Sequence, residues 1–211
     1  MRRWKGAILR TRRTQAERTA LSDSRMFDAA IELLCEGGIH RATLKEIGER
    51  AGYSRGLASA RFGSKEGLFA SLVGIIDIKW TAEFADQVDG RTGLDALDAT
   101  LDAVEHFLNE RPMYTQALYV LWYESLSSHS DVRRKLAAQQ ERDRGSVERW
   151  IAQGQADGSI RADISAERFA VQFMAFVFGV IYQWHISPSS IDVAQASRDY
   201  KQSVRELLAA R

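Results

Sequence analysis

The stretch ERAGYSRGLASARFGSKEGLF, residues 49–69, sets Arg55, Arg61 and Lys65 among Ser54, Ser59 and Ser64 and the small residues Gly56, Ala58 and Ala60. Side chains of these types recognise a target; nothing in their spacing prepares them to break a bond. A guanidinium forks onto two acceptors at once, as on a guanine edge or a phosphate, and a serine hydroxyl donates or accepts at either. Small neighbours let a helix backbone come close to what it reads. Thr43 and Lys65 stand at expected helix starts, where free N–H groups and the helix dipole favour phosphate oxygens. Thr43, Ser54, Arg55, Gly56, Ser59, Arg61 and Lys65 are the resulting candidate contacts to double-stranded DNA.

Bond-making chemistry has no comparable support. The chain holds no H-E-x-x-H, G-x-G-x-x-G, P-loop or C-x-x-C pattern. A carboxylate-bridged metal bundle needs Glu-x-x-His pairs, whereas Glu105 directly precedes His106 and Glu124 lies five residues before His129. No metal, cofactor or enzymatic activity is expected. The single Cys35 cannot form an intrachain disulfide and, near the end of a helical pattern, reads as a packing residue.

The elements that would carry the contacts follow from periodicity and punctuation. Two prolines and few alternating β-branched runs point to an all-α chain. Phe27, Ala30, Ile31 and Leu34 mark a helix that Gly37-Gly38 ends. Thr43 to Glu46 reads as a capping box opening a helix of seven or so residues. Ser54 caps a second short helix running to Phe62, and Ser64 caps a long one reaching Val88. Two short helices joined by the AGYS turn, with a support helix before and a connecting helix after, make a helix-turn-helix. With that long helix, a C-terminal bundle of about six helices is expected: one with Leu94 to Leu108 as its stripe, one opened by Pro112, then 131–156, 165–186 and 192–209.

Charge divides the chain in the same place. Residues 1–70 hold 14 Lys and Arg against 8 Asp and Glu, while residues 71–211 hold 15 against 20. A basic module suited to a polyanion is thus joined to an acidic one. The expected organisation is a basic arm over 1–20, a helix-turn-helix domain over 21–70 and a larger helical module over 71–211. The arm suits either a solvated tail or an added grip on nucleic acid. The start, MRRWKGAILRTRR, has no signal-peptide pattern, and the apolar run 169–181 is short for a bilayer, so a cytoplasmic protein without a membrane partner is expected.

FDAAIELLCEGGIHRATLKEIGERAGYSRGLASARFGSKEGLF, from Phe27 to Phe69, resembles the N-terminal signature of the TetR family of bacterial transcriptional regulators. Caps, turns and core positions agree in register over the first third of the chain; the remainder agrees in plan only. The family often places an aromatic pair of the recognition helix on phosphates. Here Ser59 and Ala60 stand at those positions, which makes the following Arg61 the expected substitute. The resemblance implies a sequence-specific DNA-binding regulator, by family habit a repressor released by a small-molecule effector. A helical protein-binding adaptor remains the alternative, and steep salt dependence of DNA binding would separate the two.

In the second module, FAVQFMAFVFGVIYQW (169–184) has no polar stripe, so the helix is expected to be buried on all sides, partly by a second subunit. Phe176 and Val180 on it, with Tyr200, Val204 and Leu207 on the last helix, are the candidate homodimer interface, and a two-fold dimer suits operator half-sites. The aromatic residues of the central helices suit a core as well as a pocket. The resemblance implies an effector site among them, with His106, Phe107, Met113, Trp122, Glu124 and Phe173 as its candidates and an apolar or aromatic molecule as its ligand.

Overall fold

The computed structural model describes residues 14–127 and 130–209. Nine helices account for these residues: α1 Gln15–Arg41, α2 Leu44–Arg50, α3 Arg55–Phe62, α4 Lys65–Val88, α5 Gly93–Glu110, α6 Pro112–Ser125, α7 Asp131–Asp157, α8 Ala166–Ile186 and α9 Val193–Leu208. The all-α architecture and helix-turn-helix order follow the sequence expectation.

Local chemistry sets the boundaries. Thr14 closes a full capping box with Glu17, and α1 breaks from helical geometry at Gly37 and Gly38 before one more turn. Residues 15–20, expected in the basic arm, are helical in α1; residues 1–13 of the arm lie outside the described residues. Thr43, Ser54, Ser64, Ser130, Ser165 and Asp192 each accept an N–H from the first turn of α2, α3, α4, α7, α8 and α9. At Thr43 the box is half made: its hydroxyl donates to the Glu46 carboxylate at 2.8 Å.

Packing does not split at residue 70. One core joins α1 to α3 with the first half of α4 (Leu68, Leu72, Ile76), Leu121 of α6 and Leu136 of α7. The other gathers α5, α7, α8 and α9 around Leu101, Ile151, Phe173 and Val177. The second half of α4, through Trp80 and Phe84, packs on that second core. Helix α4 is therefore a strut shared by both cores, starting beside α3 and ending among α5 and α7.

Helix α8 has the length and apolarity to cross a membrane. Yet Phe169, Phe173, Met174, Val177 and Ile181 are buried in the second core, which makes it a core helix of this fold. Its other side is uncovered within this chain, with Val171, Tyr182 and Ile186 54%, 38% and 70% exposed; the expectation of burial on all sides had left part of the helix to a second subunit.

Candidate DNA-binding face and effector cavity

The turn between α2 and α3 is held by backbone geometry. Gly52 takes φ +79°, and the Tyr53 N–H donates to the Gly48 carbonyl at 2.7 Å. A Cβ on Gly48 would sit 3.0 Å from the Ser54 carbonyl oxygen, tighter than most such contacts, so glycine suits this close approach of the two helices. Ile47, Ala51 and Ala58 are buried beneath, and Phe62 meets Phe27 of α1 edge to face at 5.4 Å between centroids. Ala58, read as part of the contact surface, is in fact a core residue.

The outward side of α3 presents Ser54, Arg55, Gly56 and Ala60, with Ser59 half-buried. Arg55 makes no ion pair among the described residues and stands at the N-terminal end of α3, the end of a second helix that helix-turn-helix motifs in general turn to base edges. Exposed Lys45, which the sequence reading passed over, is similarly unpaired in the first turns of α2. Its position one helix earlier, on the polar side of α2, was the available signal.

Arg61 and Lys65 are placed otherwise than expected. The Arg61 guanidinium lies 3.1 Å from Asp23 of α1 and donates to Thr19 Oγ1 at 3.4 Å, tying the end of α3 to α1. Lys65 Nζ donates to the Ile39 carbonyl and sits 5.6 Å from the Phe69 ring centroid. Thr43 spends its hydroxyl on Glu46. These three stabilise the arrangement that presents α3.

A well-formed cavity lies elsewhere than the predicted pocket. It encloses about 820 Å³ between α4, α5, α7 and α8, walled by Trp80, Phe84, Val147, Trp150, Met174 and Val177. The size suits a drug-sized ligand. Trp80 packs against Phe84 at 4.4 Å and edge-on to Phe107 at 4.9 Å, which fixes the aromatic wall. Asp143 lines the same cavity; burial, then the neighbouring Asp77 carboxylate, pushes its pKa up to about 6 against the pull of Arg142 and Arg144.

None of the six predicted pocket residues lines this cavity. Phe107 backs Trp80 from within the core, and Phe173 is fully buried beside Met174, which takes the wall position instead. His106 pairs with Glu83 at 3.2 Å on the surface. Met113 is 40% exposed, and its carbonyl accepts the Cys35 thiol at 3.5 Å. Glu124 is exposed at the end of α6. Trp122 borders a smaller cleft of about 420 Å³ with Tyr119, Tyr123 and Leu126. The sequence reading favoured aromatic-rich α6, whereas the walls come from aromatics spaced four apart on α4 and from Trp150 of α7, which was counted among the central aromatics but not placed in the pocket.

Three bonds tie the cavity's α7 to α4. Glu66 Oε1 accepts the Asp131 N–H at 2.9 Å, Lys135 Nζ donates to the Ala70 carbonyl at 2.8 Å, and Arg142 pairs with Asp77. Cys35 is no reactive thiol: burial raises its pKa to about 11.

Of the predicted interface residues, Val180 and Val204 are 6% and 3% exposed and point into the monomer core. Phe176 and Tyr200 stack on each other at 3.7 Å, and Leu207 is 47% exposed. The outward apolar row is a different one, Val171, Tyr182 and Ile186 of α8, continued by Tyr123 of α6 and Leu126 just after it.

Residues 27–72 match the family of bacterial regulatory proteins named for tetR, and residues 93–206 match the tetracycline repressor-like C-terminal domain. Curated relatives include the HTH-type transcriptional repressor KstR2 of Rhodococcus jostii, 25% identical over 88% of this chain and 90% of that one. The HTH-type transcriptional regulator TtgR of Pseudomonas putida is 23% identical, over 88% of this chain and 89% of that one. A TetR transcriptional regulator from Chloroflexus aurantiacus superposes with a TM-score of 0.81 at 20% identity, over 92% of this chain and 99% of that one. With a family match covering more than half its length on top of the helix-turn-helix geometry, the chain belongs to the TetR family and is a DNA-binding transcriptional regulator rather than an enzyme.

Proposed function

We propose that the protein is a dimeric repressor, acting in the cytoplasm, whose two α3 helices occupy successive major grooves of a two-fold operator and leave it when a small apolar molecule fills the α4–α7 cavity. The observation that carries this is the set of three bonds between α4 and α7. A ligand that pushes Trp80 and Trp150 apart displaces α7 against α4, and only two residues separate the end of α3 from the start of α4. Release then requires only that the ligand bind more tightly to a conformation in which the α3 helices miss successive grooves.

The dimer is assigned to the outward row of α8. Gly179 lies on the same side as Val171, Tyr182 and Ile186, and a Cβ there would meet nothing within 4 Å, so a second α8 can approach closely. Arg55, Lys45 and the α3 backbone at Gly56 are the proposed DNA contacts, with Ser54 and Ser59 beside them.

The test begins with the DNA fragments that the pure protein retains from its own genome, sequenced to define the operator. A compound library is then screened for loss of operator binding, in wild type and in Trp150→Leu. A compound that releases wild type but acts at least about tenfold more weakly on Trp150→Leu supports the reading. Equal release in both proteins removes this cavity as the effector site.

A further inference from the structure

We propose that the turn between α1 and α2 is a second contact to DNA, a grip on the phosphate backbone without sequence preference, made by Arg41 and His40. The inference rests on the reading of α3 as the helix that enters the groove. Helix α1 leaves helical geometry at Gly37 and Gly38, the latter at φ +66°, and resumes for one turn, Ile39 to Arg41, before Thr43 caps α2. That turn is fastened on its inner side. Ile39 packs on the first core and Ala42 is fully buried. The Lys65 ammonium at the start of α4 donates to the Ile39 carbonyl, and the Thr43 N–H donates to the Arg41 carbonyl at 3.0 Å. The Arg41 stem passes Gly37 so closely that a Cβ on Gly37 would lie 3.0 Å from the Arg41 Cβ. His40 and Arg41 themselves are left exposed.

Neither His40 nor Arg41 spends its side chain on a hydrogen bond or an ion pair among the described residues, and the same holds for exposed Lys45 in α2. The carboxylates close by in the sequence are occupied. Arg50 forks onto Glu36 at 2.6 and 3.0 Å, and Glu46 accepts the Thr43 hydroxyl. Lys65 lies three residues beyond Phe62, the last residue of α3, so its bond to Ile39 sets the turn beside the junction of α3 and α4. In helix-turn-helix proteins the first of the two helices crosses the sugar-phosphate backbone while the second reads the groove. Cationic and N–H donor side chains at the entry to that first helix meet phosphates whichever bases lie under α3, and a guanidinium forks onto two phosphate oxygens.

The test measures the affinity of the full-length protein for its operator and for a scrambled duplex across about 50–200 mM salt. Wild type is compared with Arg41→Ala, Arg41→Lys, His40→Ala and Arg55→Ala. Arg41→Ala is expected to weaken both duplexes alike, by about three- to tenfold at low salt, and to flatten the slope of log affinity against log salt by about 0.9, the share of one phosphate. Arg41→Lys should keep the slope, His40→Ala should weaken both duplexes to a smaller extent, and melting temperatures should not move, since both side chains are exposed. On operators carrying one methylphosphonate linkage at successive positions, a single uncharged linkage should cost wild type affinity and cost Arg41→Ala nothing. Unchanged affinity and slope in Arg41→Ala, or a loss confined to the operator, overturns the grip. So does a series in which no linkage separates Arg41→Ala from wild type. An unmoved His40→Ala strikes His40 from it. Arg55→Ala answers the separate question of base reading: if it leaves the operator-to-scrambled ratio intact, α3 is not the reader, whatever Arg41→Ala does.

Discussion

The Arg61 guanidinium on α3 lies 3.1 Å from the Asp23 carboxylate on α1, with the two side chains 31% and 27% exposed. Arg61 sits one position before Phe62, whose ring meets Phe27 of the same helix. The C-terminal end of α3 is thus pinned to α1 by one polar and one aromatic contact, whereas Arg55 at its N-terminal end makes no ion pair among the described residues.

Arg55 and Arg61 therefore have separable roles. Arg55→Ala is expected to lower operator affinity by about 1–3 kcal/mol, more for the operator than for scrambled DNA, without a change in melting temperature. Arg61→Ala removes a half-exposed pair worth less than about 1 kcal/mol and should shift the melting temperature slightly. Adding Asp23→Ala to it should cost no more, the signature of a coupled pair in a double-mutant cycle. If Arg61→Ala weakens DNA binding as strongly as Arg55→Ala while Asp23→Ala does nothing, Arg61 contacts the DNA after all.

The helices and the recognition module were legible because they are written locally. A Ser or Thr three residues before the N–H it caps, and Gly at the α2–α3 turn, leave marks that a sequence shows directly. The partners of Arg61 and the walls of the cavity are not local: Asp23 is 38 positions away in the sequence, and Trp80 and Trp150 belong to different helices. Composition also misleads where helices pack against each other. Phe107 and Phe173 looked like a pocket because they are aromatic, yet full burial makes them the layer behind one. Val180 and Val204 looked like an interface because α8 and α9 are apolar there, although each faces its own core.

Because Gly179 has open space beside it and sits amid exposed apolar side chains, it gives a cleaner dimer probe than a valine of the core. Gly179→Arg should yield a monomer by light scattering with an unchanged helical spectrum. It should also weaken operator binding steeply, since a two-fold site then has to be gripped one half at a time. A Gly179→Arg protein that remains a dimer would move the interface off this face of α8.

Asp143 makes stability depend on pH in a stated direction. Its folded-state pKa is raised from the ordinary 3.8 to about 6, so the folded protein holds this proton more tightly than the unfolded chain does. The cost of ionising it grows as pH rises through that window, is complete above it and is absent below it; the shift corresponds to at most about 3 kcal/mol. Asp143→Asn should accordingly raise the melting temperature at pH 7.5 by roughly 2–6 °C, and the gain should vanish near pH 4. Equal melting temperatures at pH 7.5 would mean that water or a nearby guanidinium already solvates the carboxylate.

The bonds between α4 and α7 predict how cavity and DNA communicate. Glu66 holds the first N–H of α7 and Lys135 holds the Ala70 carbonyl, so both tether α7 to the part of α4 nearest α3. Neither side chain lines the cavity. Removing both, in Glu66→Ala with Lys135→Met, should leave a releasing compound able to enter the cavity but less able to move α4. Coupling of this kind is commonly about 1–3 kcal/mol and is reciprocal: the factor by which the compound weakens operator binding equals the factor by which operator weakens compound binding. The expected result is that both factors shrink together in the double variant, toward unity, while the affinity of the DNA-free protein for the compound is retained. Measuring all four equilibria closes the cycle. If both factors persist at their wild-type values, the signal leaves the cavity by another route, and the direct packing of Trp80 and Phe84 on the second core becomes the element to test.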